Sequence, residues 1–161
     1  MIKKIFFSTL LVFFFSTSFL LTGCDEEHVH GPEDHFSAEG WMLRDVAQRP
    51  ILVVWQGAVQ NSWNGQTISD TLFATRNVLS EQLAVLFLDA NKNFIEPPRS
   101  KNLGYIINDT NVVAIRQNLP GAFNLQLLGK SVGVTQLELQ VMHEGHADVR
   151  TPKIPVRVRI N

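Results

Sequence analysis

The sequence predicts an all-β sandwich, and three observations carry the prediction. Beyond residue 38 the apolar residues come in short segments parted by turn formers. Several segments alternate apolar and polar residues with a period of two, and no long apolar stripe of period 3.6 stands between helix caps. The alternation is clearest where Leu137, Leu139 and Val141 interleave with Glu138, Gln140 and Met142, and where Val156, Val158 and Ile160 interleave with Arg157 and Arg159. Successive side chains on a strand point to opposite faces, so one face of these strands packs inward and the other meets water.

In chain order, Lys3 and Lys4 precede an apolar run from Ile5 to Leu21, which ends in Leu21-Thr22-Gly23-Cys24. A basic start, an apolar stretch and a small-residue end make an export signal, against the competing reading of a retained anchor helix. The last four residues resemble the lipobox of bacterial lipoproteins. That resemblance implies cleavage after Gly23 and a diacylglycerol-type lipid on Cys24, hence a membrane anchor. Cys24 is the only cysteine, so a disulfide within the chain has no second thiol. Asp25 resembles an inner-membrane retention signal, and the run Asp25-Glu26-Glu27 resembles a surface-export signal, so the expected location is the cell envelope with membrane and leaflet open.

Residues 24–37 hold many acids and histidines, a Gly31-Pro32 breaker and little to bury, which predicts a flexible arm between the leader, residues 1–23, and one domain spanning 38–161. Of 14 Lys and Arg, Lys3 and Lys4 leave with the leader, so 12 remain against 15 acids and the net charge is near −3. That balance argues against nucleic acid, which is met by a basic patch, and leaves membrane attachment to the lipid. A chain of this length buries a core as a single domain without disulfides or metals as staples.

Strands are expected at 40–43, 50–56, 71–75, 83–88, 103–107, 112–117, 122–128, 135–142 and 155–160. Between them lie Asn64-Gly65, Asp89 to Asn93, Pro97-Pro98, Asn108 to Asn111, Pro120-Gly121 and Gly129 to Gly133, all turn chemistry. Around Asn77 to Glu81 the sequence permits a helical turn, with Ser80 a weak start signal for it. The stretch from Phe123 to Val141 is an apolar strand, a turn opened by Gly129 and closed by Gly133, and an alternating strand begun by Thr135. It resembles the late strands of bacterial immunoglobulin-like domains. The resemblance covers about a third of the mature chain and implies an immunoglobulin-like β-sandwich without the Cys-Trp-Cys core of antibody domains; it implies no particular function.

All five histidines fall in two windows: His28, His30 and His35 in the arm, and His143 and His146 near the end, with Asp148 two residues on. Imidazoles and a carboxylate at such spacings are the donors that Zn²⁺ and Cu²⁺ take, with Ni²⁺ behind them. In the second window Gly145 permits a tight bend that could turn both rings inward, and the segment is expected as a loop leaving the strand. Four or more ligands assemble if the two windows meet at one end of the sandwich. The competing reading makes the arm a solvated spacer and 143–146 a polar hairpin loop. Asp89, Asn91 and Asn93 have the alternating oxygens of a calcium loop but lack its glycine and distal glutamate, so a strand-ending turn is the better reading.

No nucleophile elbow, phosphate-cradling loop or His-Glu-x-x-His helix is present, and two residues rather than three part His143 from His146, so catalysis is not expected. Trp41, Trp55 and Trp63 are expected to pack against the strands, with an aromatic binding patch as the other reading. The expected function is a membrane-anchored lipoprotein that binds a transition metal for capture, carriage or sensing in the envelope. The alternative is a non-catalytic lipoprotein that binds a protein or glycan partner, with its histidines incidental.

Overall fold

The computed structural model describes residues 35–160; Cys24, His28 and His30 lie outside them. The chain forms strands β1 (Gly40–Arg44), β2 (Pro50–Trp55), β3 (Ala58–Val59), β4 (Ser62–Trp63), β5 (Gln66–Thr67), β6 (Leu72–Thr75) and β7 (Leu83–Leu88). It continues with β8 (Phe94–Ile95), β9 (Asn102–Ile107), β10 (Val113–Arg116), β11 (Asn124–Gly129), β12 (Gly133–His143), β13 (His146–Arg150) and β14 (Ile154–Arg159). No described residue is helical. The stretch that permits a helical turn near Asn77 does not form one: Asn77 takes a φ of 60° and donates its amide to the Gly129 carbonyl, and Leu79 then bridges to Leu128.

One sheet runs β10-β11-β7-β1-β2-β3, with β8 also paired to β7. A second contains β9, β12, β13, β14 and β6, and β4 and β5 pair only with each other. The orders β10-β11-β7 and β9-β12-β14 match the D-E-B and C-F-G arrangements of immunoglobulin-like sandwiches, with β1 standing beside β7 where the first strand of such domains lies. A long partner strand organises the second sheet. Along one edge of β12, β13 and then β14 follow in a single antiparallel run, joined where the Thr151 amide donates to the Leu139 carbonyl; β9 takes the other edge.

The inward residues of both sheets close the core: Leu43, Leu52, Val85, Phe87, Leu125, Leu127, Leu137, Leu139, Val141 and Val156 are all essentially solvent-free. Each such side chain is worth roughly 1.5–3 kcal/mol on burial. β6 runs parallel to β14 and then leaves its sheet, Arg76 bridging to Gly129 of the other. Gly129 is required there, because a Cβ would stand 2.4 Å from the Thr75 carbonyl oxygen. A smaller cluster of Met42, Val53, Trp63 and Leu88 covers the outer face of the first sheet. Its hairpin β4–β5 turns through Asn64-Gly65 with φ of 48° and 78°, the two left-handed residues that this turn chemistry supplies. Trp41 packs in the main core, in line with the packing reading.

The arm ends earlier than its composition suggests. Phe36 is 9% exposed, stacks edge-on against Phe87 at 5.0 Å and belongs to the main core. The residues just before the first strand are therefore part of the packed domain.

Candidate metal centre

Three devices bring the histidines and Asp148 together. The first is a tight hairpin: His143 and His146 pair directly across β12 and β13, and Glu144-Gly145 turn with φ of 47° and 88°. The segment expected as a loop is thus the tip of a two-residue hairpin, and its histidines belong to the strands. Directly opposed residues share a face of the sheet, which sets the two rings 5.7 Å apart between centroids. His143 continues the inward row of Val141 and is 8% exposed.

The second device is a β-bulge. Val141 faces Val149 but Met142 faces Ala147, so Asp148 is the extra residue on β13. A bulge re-aims a side chain relative to regular alternation, and the Asp148 side chain is wholly covered. The third is Phe36, whose burial fixes the neighbouring His35 at the hairpin. The Phe36 amide donates to Asp148 Oδ2 at 3.0 Å, and His35 Nδ1 lies 3.3 Å from Asp148 Oδ1.

His146 Nε2 lies 3.4 Å from the same oxygen, Asp148 Oδ1. Donor atoms of His35, His146 and Asp148 all fall within 4.8 Å of one another. Bonds of about 2.0–2.1 Å to a tetrahedral Zn²⁺ put neighbouring ligand atoms about 3.4 Å apart, so both contacts to Asp148 Oδ1 have the length of a coordination edge. His143 is outside that three-donor group; its Nε2 lies 3.9 Å from Glu144 Oε1. Of the six expected ligands, then, His35, His146 and Asp148 converge, His143 stands beside them, and His28 and His30 lie outside the described residues.

Lys101 was not among the expected residues. It sits immediately before β9, its side chain is 2% exposed, and its Nζ lies 2.8 Å from Asp148 Oδ2. Burial alone would raise the Asp148 carboxyl. The Lys101 ammonium, the Phe36 amide and the His35 ring outweigh it and bring the group down to about 2, so Asp148 is an anion at every physiological pH. One oxygen is thereby held by Lys101 and Phe36 while the other faces the two imidazoles. No local signal marks Lys101, which reads as an ordinary surface lysine between Ser100 and Asn102.

At the calcium-like turn, the Asp89 carboxylate accepts the Asn91 and Asn93 amides and the Asn93 side chain, which makes it a strand-ending turn.

No protein-family model matches the chain, and no curated protein matches it. Among solved structures it is similar to domains 4 and 5 of the S-layer protein SbsC, at 13% identity and a TM-score of 0.42, over 75% of this chain and 77% of that one. Domains 1–6 of the same surface layer protein align at 11% identity and a TM-score of 0.43, over 75% of this chain and 20% of that one.

Proposed function

We propose that this chain is a lipid-anchored protein of the cell envelope that binds a transition metal, Zn²⁺ or Cu²⁺ before Ni²⁺, in metal capture, carriage or sensing. The observation that carries the reading is the pair of 3.3 and 3.4 Å contacts by which two imidazoles meet one oxygen of a buried carboxylate. Borderline ions favour this donor set, and calcium, which takes six or more oxygens, does not. Lys101 acts here as the outer partner that orients Asp148, as a group hydrogen-bonded behind a metal ligand holds that ligand in place. His143, and His28 and His30 of the arm, are the further imidazoles the reading includes. The lipid on Cys24 and the envelope location rest on the leader and its Leu-Thr-Gly-Cys end. No catalytic step is assigned.

The same contacts favour one other reading. Asp148 bonds the Phe36 amide and Lys101, so the cluster could serve solely as a clasp that docks the arm. Cobalt separates the two, because Co²⁺ in a tetrahedral nitrogen and oxygen site absorbs strongly in the visible and in water does not. The detergent-purified chain is expected to develop those bands with Co²⁺ and to lose them when Zn²⁺ is added. His146→Ala is expected to weaken Zn²⁺ binding at least tenfold in calorimetry. Failure of the wild-type chain to bind either ion below about 10 µM leaves the clasp alone standing.

A further inference from the structure

The outer face of the first sheet carries a second concave site, about 330 Å³ in volume, independent of the histidines. Its floor is the small apolar cluster of Met42, Leu88 and Trp63. The walls supply two cations, Arg44 and Lys92, three side-chain amides, Gln48, Asn64 and Gln66, and no carboxylate. The nearest acids in sequence are committed elsewhere, Asp45 to Arg49 and Asp89 to its own turn. Low-dielectric walls around charges of one sign focus the field of a cleft, so this one attracts anions.

Among the described residues neither cation has an anionic partner. Arg44 Nε is buried and has no hydrogen-bond acceptor among the described residues, and its guanidinium lies 5.1 Å from the centre of the Phe94 ring. The Lys92 ammonium lies 4.8 Å from the centre of the Trp63 ring and 5.4 Å from that of Trp55. A buried donor left unbonded costs free energy that an incoming acceptor recovers. Gln48, Asn64 and Lys92, which border this cleft, also take left-handed φ of 64°, 48° and 65°, half of the six such non-glycine residues among the described residues.

Each part points to a different piece of one ligand. Arg44 and Lys92 call for an anionic group, the three amides for hydroxyls that donate and accept, and the exposed Phe94 ring for an apolar ring face. The volume stands at the small end of ligand sites. We infer that this cleft binds an acidic saccharide, with a sugar carboxylate against Arg44 and Lys92, hydroxyls on Gln48, Asn64 and Gln66, and the ring against Phe94.

The test is calorimetry of the detergent-purified chain with galacturonate oligomers, galactose oligomers of the same length, and inorganic phosphate. Galacturonate is expected to bind about tenfold or more tighter than either, since charge-assisted hydrogen bonds to its carboxylate are stronger than neutral ones and phosphate makes no contact with the amides and ring together. Arg44→Gln and Lys92→Gln are each expected to weaken it about tenfold, and His146→Ala to leave it unchanged, which keeps this result separate from that of the metal centre. Lys92 is exposed on a turn, so its variant remains informative if Arg44→Gln fails to fold. Equal affinity for the neutral oligomer, phosphate binding as tight as the saccharide, no galacturonate binding at 10 mM, or an unaffected Lys92→Gln each overturns the inference.

Discussion

Asp148 holds together groups from three separated stretches of chain: Phe36 and His35 before the first strand, Lys101 before β9, and His146 on its own strand. Its folded carboxyl titrates near 2 against an ordinary value of 3.8. Folding therefore favours the ionised form. The stability this gives is complete above about pH 4 and is lost as the pH falls through about 2. Urea unfolding of the metal-free chain, compared with Asp148→Asn between pH 7 and pH 2, is expected to show a deficit of about 2 kcal/mol at neutral pH that disappears in acid. A deficit independent of pH would mean that the carboxylate's charge plays no part. At this scale the sequence yielded His35, His146 and Asp148 because their residue types have few roles that favour such spacing. Lys101 was invisible, since only the fold carries it to the carboxylate.

Among the elements, the β12–β13 hairpin decides the geometry of the histidines, and its turn is open to test. Gly145 has a φ of 88°, where a branched side chain is strained, although nothing stands within 4 Å of the Cβ it would add. Gly145→Val is accordingly expected to cost about 1–2 kcal/mol by backbone strain alone, read by thermal unfolding, while weakening Zn²⁺ binding by spreading the two rings. The nine expected strands all formed, within a residue or two of their bounds, because period-two alternation and turn residues are local signals. β13 was missed for the opposite reason. His146, Ala147, Asp148, Val149 and Arg150 show no clean alternation, and the bulge at Asp148 is itself what breaks the pattern. The two-residue strands β3, β4, β5 and β8 are too short for any period to appear.

For the whole molecule, the approach of His35 to the second histidine window was the unreadable step, because it depends on which end of the sandwich receives the residues before β1. Phe36 fixes that end for His35. Nothing in an acid-rich arm marks one phenylalanine as core; its fate follows from the gap beside Phe87 that the finished fold leaves. Phe36→Ala is expected to cost about 3 kcal/mol. For a domain of this size that lowers the melting temperature by about 10 °C, and removing residues up to Ser37 should do at least as much. An arm that was only a spacer would leave the melting temperature unchanged.

The anchoring of Phe36 also bounds how far the protein can range. Twelve peptide steps part it from Cys24, and fully extended chain covers at most about 3.6 Å per residue, so a lipid on Cys24 would keep the Phe36 backbone within about 43 Å of the bilayer surface. Both the histidine–carboxylate cluster and the cleft on the outer face of the first sheet would then patrol a thin layer next to the membrane, meeting only what diffuses into it.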